Sequence, residues 1–78
     1  MNQETFNEIV KSKGYKIISI NYFPTYYTYY IRKLKNEKIT GKDCNDLYKI
    51  KDGLISFISF KGNDFYIEFD IKKSSFII

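Results

Sequence analysis

The sequence predicts an α+β domain in which a four-stranded antiparallel sheet is covered by helices on one face. Three observations support this: an apolar stripe at helical spacing near the N-terminus, two pairs of aromatic and β-branched runs, and a second helical stripe between those pairs. The predicted order is α-β-β-α-β-β. Because an isolated hairpin is marginally stable in water, the two hairpins must share a core. The 78 residues are enough for one small domain, which we expect to span residues 1–78.

The first helix is predicted over residues 4–13. Phe6, Ile9 and Val10 fall on one helical stripe, and acidic residues come early and lysines late, which suits the helix dipole. Gly14 is expected to end the helix because glycine tolerates a positive φ.

The first hairpin is predicted from strands over residues 15–23 and 26–34, separated by Pro24-Thr25. Pairing across this loop sets Tyr22 against Tyr27, Ile20 against Tyr29 and Ile18 against Ile31 on one face. The second face is then expected to carry Ile17, Ser19, Asn21, Phe23, Tyr26, Thr28, Tyr30 and Arg32. Pro-Thr does not suit a two-residue primed turn, so a wider loop is expected.

The second half repeats the pattern. Residues 35–40 are a polar turn, and a shorter helix is predicted over residues 41–52, with Thr40 as N-cap and Asp43 as its acidic partner. Strands are predicted over residues 54–61 and 64–72 around a Gly62-Asn63 turn. That turn pairs Phe60 with Phe65, Ile58 with Ile67, Ser56 with Phe69 and Leu54 with Ile71. The outward residues are then Ile55, Phe57, Ser59, Lys61, Asp64, Tyr66, Glu68 and Asp70.

The composition argues against most enzyme classes. There is no histidine, which removes the commonest general base and metal ligand. Cys44 is the only cysteine, so the sequence predicts neither a disulfide framework nor a zinc cluster, and a reducing, cytosolic setting is expected. Cys44 itself is interpreted as a small buried residue of the second helix. We expect no cofactor, no metal and no membrane partner, and the polar, acidic N-terminus is unlike a signal peptide.

The chain is basic, with 13 Lys plus Arg, 9 Asp plus Glu and a formal net charge of +4. Two explanations remain open. The lysines serve a nucleic-acid partner, or they reflect the codon bias that also enriches Ile, Asn, Phe and Tyr.

The candidate partner-binding surface is the tyrosine run at residues 26–30. Strand side chains alternate, so if helices cover one face only, Tyr26, Tyr30 and Phe23 are left uncovered on the other. Tyrosine gives a large contact area at low entropic cost and is enriched at binding hot spots. Three readings stay open: a protein partner, stacking of nucleic-acid bases, or burial of this face by the C-terminal tail or a second copy. The predicted contact residues are Phe23, Tyr26, Tyr30, Arg32, Lys33 and Lys35, with a second patch of Asp64, Tyr66, Glu68 and Asp70.

One short sequence motif matches metal-dependent nucleases. Asp70-Ile71-Lys72 fits the D/E-x-K tripeptide of such enzymes, and Asp52 is a conceivable earlier ligand. The tripeptide is common by chance, so nuclease activity is kept as a remote alternative.

Two resemblances bear on these predictions. Residues 5–35 resemble the start of YcfA/HicA-type mRNA interferases, which open with a helix, then glycine plus an aromatic residue (here Gly14-Tyr15), then a hairpin. That family uses a histidine on its second strand, and this chain has none, so the resemblance implies helix-on-hairpin packing and no catalytic residue.

In size, bias and absence of catalytic motifs, the chain also resembles small phage-encoded inhibitors of bacterial defence, such as anti-CRISPR proteins. That resemblance implies a non-enzymatic inhibitor that docks on a larger protein or nucleoprotein by shape and charge, in the cytoplasm of a bacterial host cell. The alternative is a small protein that binds RNA or single-stranded DNA through the aromatic and basic hairpin. Homodimerisation through an exposed apolar strand is a further expectation, because Ile55, Phe57 and the tail Phe76-Ile77-Ile78 are hard to bury in so small a monomer.

Overall fold

The computed structural model describes residues 1–50 and 54–76 and confirms the predicted class and element order. The helices are α1 (Gln3–Ser12) and α2 (Gly41–Tyr48), followed near the C-terminus by a short 3-10 helix (Lys73–Ser75). The strands are β1 (Tyr15–Tyr22), β2 (Tyr26–Lys33), β3 (Ile55–Lys61) and β4 (Tyr66–Lys72). All neighbours are antiparallel in the order β1-β2-β4-β3, so β2 and β4 are central. The end of the second predicted helix, residues 51–52, lies outside the described residues.

Local side chains set the helix boundaries. The Asn2 side chain accepts a hydrogen bond from the Thr5 backbone N–H at 2.8 Å, which caps α1, and Gly14 follows the helix with a φ of 94°. At α2, the predicted capping box is present: the Thr40 hydroxyl accepts from the Asp43 N–H, and the Asp43 carboxylate accepts from the Thr40 N–H.

The core lies between the two helices and one face of the sheet, which we call the helix face. Phe6 of α1 is fully buried at its centre and meets the rings of Tyr29 at 5.4 Å, Phe76 at 5.8 Å and Phe69 at 6.2 Å, in each case edge to face. Cys44 and Leu47 of α2 join the same cluster. The Tyr29 hydroxyl donates to Asn7 and accepts from Gln3, so its burial leaves no polar atom unpaired.

The first hairpin confirms two predicted pairs and corrects the third. Tyr22 pairs with Tyr27 and Ile20 with Tyr29, but Ile31 pairs with Ile17 rather than Ile18. Ile18 is an extra residue in a β-bulge and is 41% exposed. Because a bulge shifts the alternation by one residue, Tyr15 and Ile17 turn toward the helix face and Lys16 turns away. The prediction that Ile17 lies on the outward face is therefore wrong.

The second hairpin is offset by two residues from the predicted register. Phe60 pairs with Ile67 and Ile58 with Phe69, because the turn spans residues 62–65 rather than two residues. Three successive turn residues, Gly62, Asn63 and Asp64, have positive φ. A shift of two preserves the faces of the strand, so the core side remains apolar.

A second bulge near the start of β3, between Ile55 and Phe57, corrects another prediction. Ile55 pairs with Ile71 and is buried, although the unbulged pattern predicts that it points outward. Both edge strands thus use one extra residue to turn an additional apolar side chain toward the core.

Candidate docking surface

The opposite side of the sheet, which we call the open face, is the candidate site. In the part of the chain that the structure describes, the buried residues of α1 and α2 belong to the core on the helix face. Strand register assigns the residues of the open face by alternation. They are Lys16, Ser19 and Asn21 of β1; Tyr26, Thr28, Tyr30 and Arg32 of β2; Tyr66, Glu68, Asp70 and Lys72 of β4; and Phe57, Ser59 and Lys61 of β3.

Aromatic rings on and beside the open face stack in pairs. Tyr30 of β2 lies parallel to Tyr66 of β4 at a centroid distance of 5.3 Å, and Phe23 lies parallel to Tyr26 at 4.7 Å. Tyr26, Tyr30 and Tyr66 are half-buried, whereas Phe23 is 39% exposed. Stacking restricts the motion of these rings in the free chain, and rings that are ordered in advance lose less entropy in any contact they make.

A row of cations crosses one end of the open face. The register sets Lys16 opposite Arg32, Arg32 opposite Tyr66, and Tyr66 opposite Lys61. The Arg32 guanidinium donates to the backbone carbonyl of Lys33 at 2.9 Å, which restrains its position. Three positive charges therefore lie in the same row as Tyr66, one ring of the half-buried Tyr30–Tyr66 pair.

Carboxylates occupy the middle of the same face. Asp70 accepts a hydrogen bond from the Thr28 hydroxyl at 2.8 Å, and Glu68 lies 3.6 Å from the Lys61 ammonium. As predicted, the two carboxylates share the open face. The face thus carries aromatic rings, a residue type enriched at protein interfaces, next to charges of both signs, which allow electrostatic complementarity.

A groove of about 370 Å³ opens beside these carboxylates. Tyr26 and Asp70 line it together with Thr25, Ser56, Lys72 and Ser74. It runs from the β1–β2 loop toward the bulge of β3, so it provides a concave contact next to the Phe23–Tyr26 pair.

Three of the predicted contact residues lie away from the open face. Lys33 points toward the helix face, where its ammonium is 2.9 Å from the Asp43 carboxylate. Lys35 lies in the loop after β2 and lines a separate cavity of about 270 Å³ with Lys13 and Glu37. Asp64, predicted as the first outward residue of the last strand, lies instead in the turn before β4, with a φ of 71°.

Lys33 belongs to a polar cluster that joins α2 to the first hairpin. Asp43 accepts hydrogen bonds from the Thr40 backbone N–H at 2.8 Å and from the Tyr15 hydroxyl at 3.1 Å. Burial alone would raise the pKa of Asp43, but the bonds from Thr40, Lys33 and Tyr15 outweigh it and lower the pKa to about 2. Burial and the Asp43 charge raise the pKa of Tyr15. This cluster stabilises the fold.

The C-terminal tail, as far as it is described, leaves the open face uncovered. Phe76 packs against Phe6 and against Tyr27, whose ring lies 5.9 Å away, and both of these belong to the helix side. Burial of Tyr26 and Tyr30 by this part of the tail is therefore not observed.

The described residues give little support to a metal site or to a reactive cysteine. Residues 1–50 and 54–76 contain no group of three or more potential metal ligands, and Asp52, the conceivable ligand, lies outside them. Cys44 is buried, and burial and the nearby Asp43 charge raise the pKa of its thiol, which disfavours the reactive thiolate.

Sequence reasoning missed Lys16 and Lys61 as members of the site. Lys61 was recognised as an outward residue, but its neighbour across the strand is Tyr66 rather than Asp64. Lys16 reaches the open face only because of the bulge at Ile18. The sequence offers one signal for this placement of Lys16. An aromatic residue directly after the glycine that ends α1, Tyr15, indicates a side chain that turns toward the core, so its neighbour Lys16 turns away.

No protein-family model, no curated protein and no solved structure matches this chain. Within the described residues, the helices are too short and too polar to cross a membrane.

Proposed function

We propose that this chain is a non-enzymatic binding protein that uses the open face to dock on a larger protein or nucleoprotein. The observation that carries the proposal is that the open face, which neither helix covers in the described residues, presents stacked aromatic pairs on a surface with mixed charges. The Tyr30–Tyr66 pair lies outside the buried cluster on the helix face, so these two rings are not part of the hydrophobic core.

The mixed charges favour a protein partner. Cations at one end and carboxylates in the middle suit a partner with a matching pattern, and such complementarity fixes orientation and raises the association rate. Blocking a partner's surface in this way is how a small stoichiometric inhibitor acts, as in the anti-CRISPR proteins that the chain resembles in kind.

The test places a photo-crosslinking amino acid at position 30 of the open face and, as a control, at position 48, an exposed position of α2. We expect the first to form a discrete complex in host cells, and the purified partner to bind at a saturating 1:1 ratio. Tyr26→Ala with Tyr30→Ala should weaken that binding by at least about tenfold, since central aromatic contacts carry about 2 kcal/mol or more.

The control double variant is Tyr22→Ala with Tyr48→Ala, two exposed tyrosines that lie off the open face. It should bind like the unmodified chain. Equal binding by both double variants, with both folded, would reject the open face as the docking surface.

Single-stranded RNA or DNA is the second candidate, and the cation row favours it. Tyr30 and Tyr66 lie on the two central strands, where bases could stack, and Lys16, Arg32 and Lys61 flank them. With a labelled oligo(U) or oligo(dT) as probe, log affinity should fall by about 0.7 per log unit of salt for each phosphate contact.

The matched variants for this candidate are Lys16→Ala, in the cation row, and Lys38→Ala, in the loop before α2. Only Lys16→Ala should reduce the salt dependence. Absence of a complex at low salt would dismiss the nucleic-acid candidate and leave the protein-docking proposal standing.

A further inference from the structure

The strand β3 is an edge strand with unusually few features that would prevent pairing. Residues 55–60 carry no charge, and exposed phenyl rings lie on both of its faces: Phe57 is 54% exposed on the open face, and Phe60 is 43% exposed on the helix face. Natural edge strands are usually blocked by charges, prolines or bulges.

The other edge, β1, shows the contrast. Its bulge at Ile18 interrupts the middle of the strand, and Lys16 adds a charge. The bulge of β3 lies at its first residues, so Phe57–Lys61 form five consecutive regular positions paired with β4. A regular edge whose only charge is Lys61 at its last position, and which carries an exposed hydrophobic side chain on each face, is suited to the addition of another strand.

Charge distribution indicates which strand is added. Between residues 15 and 42 the chain has six cations and one anion, whereas residues 54–76 have three of each and are neutral overall. Because the strand order is β1-β2-β4-β3, the basic hairpin lies at the edge opposite β3. Two copies that meet at β3 therefore bring neutral halves together and hold their β1 strands about 34 Å apart, several Debye lengths at physiological salt.

The strand is also self-complementary in side-chain size. Antiparallel pairing of two β3 strands about a twofold axis at Ile58 sets Phe57 of each copy beside the small Ser59 of the other. The two Lys61 side chains then lie at opposite ends, about 20 Å apart along the strands, so no like charges face each other.

We infer that β3 is a self-association edge and that two copies of this chain pair through it into an eight-stranded sheet. The dimer has one continuous open face with two copies of each aromatic pair. This inference is independent of the proposed docking function, because the residues that carry it lie outside the Tyr30–Tyr66 and Phe23–Tyr26 pairs.

The experiment is sedimentation equilibrium of the full chain from about 5 µM to about 500 µM, a range that brackets dissociation constants of weak strand-paired dimers. We expect the mass to rise toward twice the monomer mass. The test variant is Phe57→Lys with Ser59→Lys. It should weaken association by at least about tenfold, because four lysines then meet across the pair.

The opposite edge strand, β1, supplies a matched control, because residues paired across the four strands form rows that run from β1 to β3. Asn21 and Ser19 of β1 lie in the rows that end in Phe57 and Ser59 of β3. Asn21→Lys with Ser19→Lys therefore adds the same charge on the same face at the opposite edge, and it should dimerise like the unmodified chain.

A chain that remains monomeric over the whole range would overturn the inference. So would equal weakening by both double variants, because net charge rather than the β3 edge would then be responsible. If the β3 double variant does not fold, two single variants replace the double variants: Ser59→Lys as the test on β3 and Ser19→Lys as its control on β1. In either case, amide exchange in residues 57–61 should slow as concentration rises, while exchange in β1 stays constant; slowing in β1 alone would contradict the inference.

Discussion

Tyr29 and Tyr30 are neighbours on β2 and show how differently the two faces of the sheet use the same side chain. Tyr29 is fully buried, packs against Phe6 and Phe69, and has both hydrogen-bonding partners within the protein. Tyr30 is half-buried and touches one other ring, that of Tyr66. The comparison shows that the aromatic residues of this chain fall into two groups. The rings on the helix face form the core, whereas those on the open face remain partly exposed to solvent.

The strongest test of this comparison is the pair of variants Tyr29→Ala and Tyr30→Ala. Loss of Tyr29 leaves a large cavity and should cost about 3–5 kcal/mol of unfolding free energy. Loss of Tyr30 removes one ring contact and should cost about 1 kcal/mol. Urea denaturation followed by circular dichroism measures both values, and similar costs would show that the open face belongs to the core.

A second test concerns the bulge that assigns β1 residues to the two faces. Ile17→Lys should cost more than about 1 kcal/mol because Ile17 faces the core, whereas Ile18→Lys should change stability by less than about 0.5 kcal/mol. A strand without the bulge reverses this order. The same denaturation assay decides between the two arrangements.

The smallest expected effect is a dependence on acid pH from the helix side. The pKa of Asp43 is lowered from its usual value of 3.8 to about 2 in the folded chain, so the ionised form favours folding. This contribution is complete above the usual value and is lost as the pH falls from 3.8 toward 2. The stability advantage of the unmodified chain over Asp43→Asn should therefore shrink across that interval, and a constant difference would contradict the assigned hydrogen bonds.

Much of the architecture was predictable because local chemistry determines it. The α1 stripe, the glycine that follows it, and the Thr40–Asp43 capping box depend on residues close in sequence. The pairs Tyr22–Tyr27 and Ile20–Tyr29 follow from their proximity to a short loop. The prediction that Tyr26 and Tyr30 share a face with Arg32 follows from simple alternation, and the structure confirms it.

Three of the misplaced residues have a common cause. Asp64, Ile17 and Ile55 lie at or beyond a point where a bulge or a longer turn interrupts the regular pattern. Lys33 differs, because it follows the regular alternation of β2 toward the helix face, where Asp43 of α2 is its ion-pair partner. Its sequence neighbours Arg32 and Lys35 gave no sign of that contact.

The sequence by itself determined which segments form helices and strands, since periodicity, capping and turn residues act over a few positions. It also determined that aromatic side chains lie on both faces of β2, since four tyrosines in five positions of a strand must alternate. Only the tertiary structure decided where the extra residues at Ile18 and near Ser56 fall, because each bulge turns a neighbouring apolar side chain, Ile17 or Ile55, toward a core formed by residues distant in sequence. Those two single-residue shifts placed Lys16 on the open face and Ile55 in the core, and so decided which side chains the open face presents.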